Sequence, residues 1–353
     1  MKALSEKVFL KLDMPNSKDR KSDRDRILDK LKIKYKNVDM PYKITKDLYP
    51  KCRESNFEIT VTLVKRTYDW VVTRIEQGDK TDKNYGLCVD LGSTTVIMRL
   101  VDLNTGDIVV EEGCFNKQIS FGEDILNRIF YTRNSKEKLY EIHKATIYTF
   151  SELIYIITEK SKINSEDISV MTVAGNTTMI HFLLNIDPWT IFQMPYTPIF
   201  NHTGFISCDE IGIPINGYLY CFPSVANYLG GDIVSGVLFT EIYKQKELSA
   251  FIDIGTNGEL VIGNEEFLVA VAGAAGPALE GGISKFGMRA KEGAIDTIKI
   301  VDNNIKYTTI ENKKPLGICG SGIVDLLSEM FLNGWIDFSG ELKENTSKNI
   351  IKV

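Results

Sequence analysis

The sequence predicts an α/β protein in which a small α+β unit precedes a larger region of alternating apolar strands and amphipathic helices. Three observations lead to this prediction. The net charge is +7 over residues 1–83 and −12 beyond them. Only one of the 27 glycines lies in the first part. The other glycines lie in the second part, where we expect tight turns and close backbone approaches, since these require glycine. Two apolar strand–turn–strand segments, each with an acidic residue ahead of its turn, lie in the second part.

The first 83 residues predict the small α+β unit. Ser22, followed three residues later by Asp25, is typical of a helix N-terminus, and the apolar face of that helix would consist of Ile27, Leu28 and Leu31. A strand with one buried side is predicted by an alternating apolar set, Phe57, Ile59, Val61 and Leu63. The polar residues 78–84 predict a linker to the next domain.

The remaining residues predict an α/β pattern. Periodicity and length predict helices at 136–158 and 323–332, and strands at 86–103, 169–173 and 250–262. Strands that alternate with helices in this way are typical of sheets covered by helices.

Composition excludes several classes of protein. With 43% apolar and 25% charged residues, the chain suits one large or two ordinary globular domains rather than a disordered protein. No apolar stretch reaches the roughly 18 residues of a membrane helix, and the first residues lack the apolar segment of a secretory signal. We therefore expect a cytoplasmic protein with no membrane span. Its positively charged first part predicts a solvated surface rather than nucleic-acid binding.

The six cysteines indicate reduced, mostly structural thiols. They are far apart in the sequence and include no C-x-x-C pair, whereas zinc and iron–sulfur sites cluster their ligands. We therefore expect no iron–sulfur cluster in this chain.

The first strand–turn–strand segment carries Asp90 near the end of an apolar strand. Its turn combines Gly92 with three hydroxyl residues, Ser93, Thr94 and Thr95. Backbone N–H groups in such a turn can form a concave nest for phosphate oxygens, to which the hydroxyls add donors. A carboxylate at this place can hold Mg²⁺ through water.

The same arrangement recurs 163 residues downstream, where Asp253 precedes a second polar turn composed of Gly255, Thr256, Asn257 and Gly258. Such a long spacing predicts two similar lobes, each offering one hairpin to a shared cleft. Two turns that face each other could clamp a triphosphate, with Asp90 and Asp253 positioning Mg²⁺ and water for phosphoryl transfer. Either turn alone could simply close a hairpin, but the pair favours nucleotide binding.

Two further glycine-containing turns have open interpretations. Gly175 and Asn176 follow a predicted strand and begin a helix, so they either face phosphate or simply cap that helix. Residues 230–232 either start the next helix or bring Asp232 into the water shell of the metal.

Two small-residue segments also stand out. Residues 273–282, which include Gly276 and Glu280, indicate close approach of the backbone to a ligand or to another helix. Residues 317–322 precede a helix, and binding and packing explain them equally well.

The two acidic turns resemble the phosphate motifs of the actin, sugar kinase and heat-shock chaperone superfamily of ribonuclease-H-like ATPases. More specifically, the chain resembles the reductive activators of corrinoid proteins in five segments that follow the family's order: 116–128, 174–184, 223–232, 275–290 and 317–325. The resemblance runs from near residue 1 to about residue 337.

This resemblance implies ribonuclease-H-like (actin-like) ATPase lobes preceded by a small α+β middle domain. Residues 1–83 would form the middle or linker domain and residues 84–250 the first ATPase lobe. Residues 251–353 would begin the second lobe, which we expect to be incomplete at its C-terminal end.

The resemblance also implies a function: ATP-dependent reduction of inactive Co(II) to Co(I) in a corrinoid protein, so that methyl transfer can resume. It assigns catalytic and metal-binding roles to Asp90 and Asp253, and places Asp232 near the metal. The nucleotide would be bound by Gly92, Ser93, Thr94, Thr95, Asn176, Gly255, Thr256, Asn257 and Gly258, with Gly276 and Glu280 between the lobes. The implied cofactors are ATP and Mg²⁺, and the implied assembly is a homodimer.

Two departures from the family modify these expectations. The chain lacks the C-x₄-C-x₂-C run of a plant-type ferredoxin domain, so the electron would come from a separate or upstream [2Fe–2S] donor. Family members continue well beyond the equivalent of Trp335, into an adenosine-binding turn. We therefore expect either a fragment of a longer protein or a reduced relative that binds ATP weakly.

Two alternatives remain open. A small-molecule kinase of the same superfamily would need an acid in the cleft that activates the acceptor, and its ATP turnover would rise with substrate. A docking module would bind the corrinoid protein and respond to nucleotide without useful hydrolysis. Fold alone does not separate these functions.

Overall fold

A computed structural model describes residues 3–122, 124–255, 258–273, 285–288 and 290–343. The strands are β1 (Ser5–Lys11), β2 (Val38–Asp39), β3 (Glu58–Lys65), β4 (Trp70–Gln77), β5 (Tyr85–Leu91), β6 (Thr95–Asp102), β7 (Ile108–Phe115), β8 (Ile168–Ala174), β9 (Phe205–Ser207), β10 (Tyr218–Cys221), β11 (Ser249–Ile254), β12 (Gly258–Gly263), β13 (Leu268–Gly273), β14 (Ala294–Val301), β15 (Asn304–Thr309) and β16 (Gly317–Ile318). The helices are α1 (Asp23–Lys32), α2 (Tyr42–Thr45), α3 (Leu48–Glu54), α4 (Ile125–Thr132), α5 (Lys136–Ser161), α6 (Thr177–Leu183), α7 (Trp189–Phe192), α8 (Cys208–Ile211), α9 (Gly231–Thr240) and α10 (Gly320–Leu332). The chain divides into two compact units, Met1–Phe239 and Thr240–Val353.

The first unit begins with a four-stranded sheet in the order β1-β3-β4-β2, covered by short helices. The Ser22 hydroxyl caps α1 by accepting a hydrogen bond from Asp25 N at 3.1 Å. The predicted apolar face of α1 is buried, as Ile27, Leu28 and Leu31 pack into the core of this sheet. The predicted capped amphipathic helix is therefore confirmed. Burial of one such side chain contributes about 1.5–3 kcal/mol.

Strand β3 differs from its prediction. Ile59, Val61 and Leu63 are buried, but Thr60 and Thr62 on the opposite face are buried as well. The alternation of apolar and polar residues correctly predicted a strand and wrongly predicted a solvent-facing side. The segment after β4 covers part of that side, since the Thr60 hydroxyl donates to Gly78 O at 2.7 Å.

A six-stranded sheet in the order β7-β6-β5-β8-β10-β9 forms the rest of the first unit. Strands β5, β8 and β10 are mutually parallel, whereas β6, β7 and β9 pair antiparallel with their neighbours. The 26-residue helix α5 begins after Ser135, whose hydroxyl accepts from Lys138 N. Its buried residues, including Phe150 and Leu153, join the strands in one apolar core.

The two sheets of the first unit meet at a buried polar junction. Asn84 Nδ2 donates to Ser5 O at 3.0 Å, and the Ser169 hydroxyl donates to Ser5 Oγ at 2.7 Å. Beside them, the Lys7 ammonium group contacts Glu76 at 2.7 Å and Asp167 at 3.2 Å. These contacts fix the sheet of β1 and β3 against the six-stranded sheet.

The second unit contains two described three-stranded sheets, in the orders β11-β12-β13 and β15-β14-β16. Helix α10 packs on the second sheet, where Glu329 accepts hydrogen bonds from Ile300 N at 2.9 Å and from the Lys299 ammonium at 3.0 Å. These two contacts lower the pKa of the Glu329 carboxyl. The helix begins three residues before the predicted start at residue 323, and the small residues Gly320 and Ser321 occupy that extra turn.

Within the described ranges, no helix has the length and apolar character needed to cross a membrane. The six cysteines are free thiols. Among the same described residues, no three His, Cys, Asp or Glu side chains are grouped as ligands of one metal ion.

Candidate functional site

Three turns of the first unit lie at one edge of the six-stranded sheet. Because β5, β8 and β10 are parallel, their carboxyl ends meet at the same edge, which is where open α/β sheets bind ligands. Residues 92–94 follow β5, residues 175–176 follow β8, and the segment 222–230 leads from β10 to α9. We call this set the three-turn edge.

Glycines allow these turns to approach each other closely. Gly231 N donates to Gly175 O at 2.9 Å. A Cβ atom on Gly230 would lie 2.4 Å from Gly175 O and 2.5 Å from Asn176 Cα, while a Cβ on Gly175 would lie 2.7 Å from Leu91 O. Real side chains do not tolerate such contacts, so close packing of main chain on main chain defines the shape of this edge.

The first predicted hairpin forms as expected, with β5 and β6 paired antiparallel. Asp90 is exposed and lies between Ile97 of β6 and Ala174 of β8 in the sheet. Gly92 is required at the turn because a Cβ there would lie 2.6 Å from Thr95 O. The hydroxyl residues differ in accessibility, since Thr95 is exposed, Thr94 is half-buried and Ser93 is 9% exposed.

Asn176 and Asp232 lie on the two neighbouring turns. The Asn176 Oδ1 atom accepts from Met179 N at 3.0 Å and thereby caps α6. Its carbonyl oxygen is committed to the helix, so the amide NH₂ is the part of this side chain suited to a ligand. Asp232 lies in the first turn of α9, where its carboxylate accepts from Ile233 N at 2.9 Å. Both predicted residues therefore share the edge with Asp90.

The second predicted hairpin is present in the second unit, with β11 and β12 paired antiparallel and Asp253 opposite Glu259. Asp253 is half-buried, and this burial raises the pKa of its carboxyl while the Ile254 N–H partly opposes the shift. Gly255 is exposed at the turn, and Gly258 begins β12. Four predicted residues, Thr256, Asn257, Gly276 and Glu280, lie outside the described residues.

Sequence reasoning assigned no role to a buried polar group behind the first turn. Asn116 Nδ2 donates to Gly92 O at 2.8 Å, and Asn116 N donates to Thr94 O at 2.8 Å. Gln118 and Arg128 continue this group inward, and all three side chains have no exposed surface. Buried polar side chains do not change the spacing of the apolar residues around them, so that spacing does not reveal their burial. Their place in the segment 116–128 was the available signal.

The groups of the three-turn edge suit an anionic ligand accompanied by a divalent cation. Backbone amides and threonine hydroxyls are donors for phosphate oxygens. Mg²⁺ is usually held by one or two carboxylates, water and substrate phosphates rather than by a dedicated protein cage. Asp90 and Asp232 supply two carboxylates at this edge, so the residues present fit a magnesium–polyphosphate group.

Comparisons with known families agree along the whole chain. Residues 1–82 match the RACo linker region and residues 85–245 match the RACo middle region. Residues 247–353 match the C-terminal domain of RACo, described as the ASKHA domain. The three matches follow one another in order.

Individual relatives give the same result. The chain is 32% identical over 268 residues to the corrinoid activation enzyme RamQ of Eubacterium limosum, covering 75% of this chain and 45% of that protein. It is 24% identical over 236 residues to a [Co(II) methylated amine-specific corrinoid protein] reductase of Methanosarcina barkeri, covering 61% of this chain and 41% of that protein. The chain thus spans less than half the length of the curated relatives it matches.

A solved structure extends the similarity to three dimensions. The structure described as a reductive activator for corrinoid, iron–sulfur protein superposes with a TM-score of 0.86 at 38% identity, covering 98% of this chain and 56% of that one. This agreement confirms the expected α/β fold with an actin-like ASKHA region. With its linker, middle and ASKHA regions matched in order, the chain belongs to the RACo family.

Proposed function

We propose that this chain takes part in the ATP-dependent reductive activation of a corrinoid protein. The observation that carries the proposal is the three-turn edge, where Asp90, Asp232 and a glycine–hydroxyl turn lie at the carboxyl ends of parallel strands. Family membership and the roles of the relatives support the choice of a corrinoid protein as the substrate.

At the three-turn edge, Thr94, Thr95 and the amides of residues 92–94 would bind phosphate oxygens, and Asp90 and Asp232 would hold Mg²⁺ through its water shell. When bound, the metal supplies charge neutralisation for phosphoryl transfer to water. Asp90 accepts hydrogen bonds from water and thereby orients it. On the second unit, Asp253 is our further candidate for a catalytic carboxylate, with Gly255 and Gly258 in its turn.

The redox step balances with one electron: Co(II) of the corrinoid gains it and becomes Co(I), while a low-potential donor is oxidised. A [2Fe–2S] protein or domain is the class of donor that we propose. A one-electron gap of about 300 mV amounts to about 7 kcal/mol, so coupling to ATP hydrolysis can drive the transfer. We further propose that the working assembly is a homodimer, which the molar mass in light scattering will test.

The experiment mixes the full chain with Mg-ATP, a chemical reductant and an oxidised corrinoid protein of methyl transfer, and follows the cobalt absorption bands. We expect Co(I) to accumulate only when both the chain and ATP are present. Asp90→Asn serves as the matched control, because it removes the carboxylate and keeps the size of the side chain. Cobalt spectra that are identical with and without ATP, for a chain that also fails to bind the corrinoid protein, would reject the proposal.

A further inference from the structure

We propose that Asn116 is a positioning residue that orients the peptide groups of the first phosphate turn toward the nucleotide. This inference rests on the proposed function, because it assigns a task to a residue behind the same turn. Asn116 lies directly after β7 and has no exposed surface, so it acts on the ligand only through the turn.

The geometry around Asn116 ties two carbonyl groups of the turn to one residue. Asn116 Nδ2 donates to Gly92 O at 2.8 Å, and Asn116 N donates to Thr94 O at 2.8 Å. The backbone bond continues the ladder between β6 and β7, so any residue except proline could make it. The bond to Gly92 O, in contrast, requires the side-chain amide.

Because peptide groups are planar, these two bonds also fix the directions of the backbone N–H groups that follow Gly92 and Thr94. In a planar trans peptide the C=O and the N–H that follows it point in opposite directions. Because Gly92 O points at Asn116, the N–H of Ser93 points away from Asn116. The same holds for Thr94 O and the N–H of Thr95. Asn116 thus fixes the direction of two backbone amides of the turn, and oriented amides at a turn can contribute to a concavity that binds anions.

The Asn116 side chain is itself held in place. Its Oδ1 atom accepts from Gln118 N at 3.0 Å, and Gln118 Nε2 donates to the Thr146 hydroxyl of α5 at 2.6 Å. Gln118 Oε1 in turn accepts from Arg128 Nη1 of α4 at 3.2 Å. A fully buried network of this kind fixes one rotamer of each member.

Arg128 indicates that the network serves more than stability. Its guanidinium is buried, and its Nη2 atom has no hydrogen-bond partner among the described residues. Burial lowers the pKa of this group to about 10. An apolar residue would avoid the cost of burying a charge, and such local costs are expected at functional sites.

The test compares Asn116→Ala and Asn116→Ser with Thr146→Val in the full chain. Thr146→Val removes a hydrogen bond from the far end of the same network without touching the turn. Calorimetry would measure the Kd for Mg-ATP and for Mg-tripolyphosphate, below the unfolding temperature of each variant. Tripolyphosphate isolates the phosphate contacts from those made by the base.

We expect both Asn116 variants to bind either ligand about tenfold more weakly, equivalent to about 1.4 kcal/mol, and Thr146→Val to bind within twofold of wild type. A purely structural role would lower the melting temperature in all three variants and leave Kd unchanged, which would overturn the inference while wild-type binding still supports the function. Wild-type protein that binds neither ligand would overturn both proposals. Asn116→Ser keeps a polar side chain of smaller size in case the alanine variant does not fold.

Discussion

Replacement of Gly230 by alanine tests whether main-chain packing sets the shape of the three-turn edge. The added Cβ would lie 2.4 Å from Gly175 O, 2.5 Å from Asn176 Cα and 2.8 Å from Asn176 C. All three neighbours are backbone atoms, so no side-chain rotation relieves the contacts. To reach ordinary contact at 3.4 Å or more, the loop before α9 and the turn after β8 must separate by about 1 Å.

Two consequences follow from that displacement. Overpacking of this kind costs about 1–3 kcal/mol, which corresponds to a fall of about 2–12 °C in the melting temperature of a unit this size. A shift of about 1 Å in groups that hold a substrate lowers turnover about 100-fold. We therefore expect Gly230→Ala to remain folded at 20 °C and to lose most of its Mg-ATP hydrolysis.

The assay combines thermal unfolding, followed by circular dichroism, with ATP hydrolysis at 20 °C. Gly106→Ala is the matched control, because Gly106 has a φ of +87° and nothing within 4 Å of an added Cβ. That control carries only the conformational cost of about 1–2 kcal/mol and should leave hydrolysis unchanged. If Gly230→Ala unfolds and hydrolyses ATP as the control does, the steric reasoning is refuted.

Three further predictions concern charge and burial. Lys7→Met should destabilise the first unit by about 1–3 kcal/mol in urea unfolding, because the buried Lys7 ammonium contacts Glu76 and Asp167, while Arg74 still contacts both carboxylates in the variant. The control Lys11→Met removes the ion pair between Glu58 and Lys11, whose side chain is 70% exposed, and should change the free energy of unfolding by less than about 1 kcal/mol. Equal destabilisation by the Lys7 and Lys11 variants would contradict this prediction. Asp253→Asn should keep the wild-type melting temperature and lower Mg-ATP hydrolysis at least tenfold, and unchanged hydrolysis would remove Asp253 from the mechanism. Burial raises the pKa of the Cys221 thiol to about 12 and also raises that of Cys208, so both stay protonated and unlabelled by iodoacetamide in native protein at pH 8. Exposed Cys88 should be alkylated first in mass spectrometry, and early labelling of Cys221 would show that its site opens.

Local patterns predicted those elements whose signal lies within a few residues. Both acidic hairpins appear at the expected places because alternating apolar residues and a glycine turn specify them locally. Ser22 caps α1 for the same reason. It was harder to predict that one sheet edge would contain Asp90, Asn176 and Asp232. Their proximity depends on the parallel pairing of strands that are far apart in sequence.

Other features depend on contacts that no local pattern contains. The second buried face of β3 and the burial of Asn84, which belongs to the predicted polar linker, both arise where two sheets of the first unit meet. Asn84 is polar and follows the charged residues Asp82 and Lys83, so the local sequence indicates a loop. Its distant partners, which include Ser5 and Ser169, make it an interior residue. The buried contact between Asn116 and Gly92 was missed for the same reason.

Main-chain contacts at Gly175 and Gly230 determine the shape of the three-turn edge independently of the exposed side chains that it carries. Main-chain atoms hold the loops together there, so mutation of the exposed Thr95 or Asp90 should leave the scaffold unchanged. Evolution can therefore exchange one exposed side chain for another at these positions while the backbone geometry is inherited unchanged. A directed-evolution library confined to such positions should retain a high fraction of folded members.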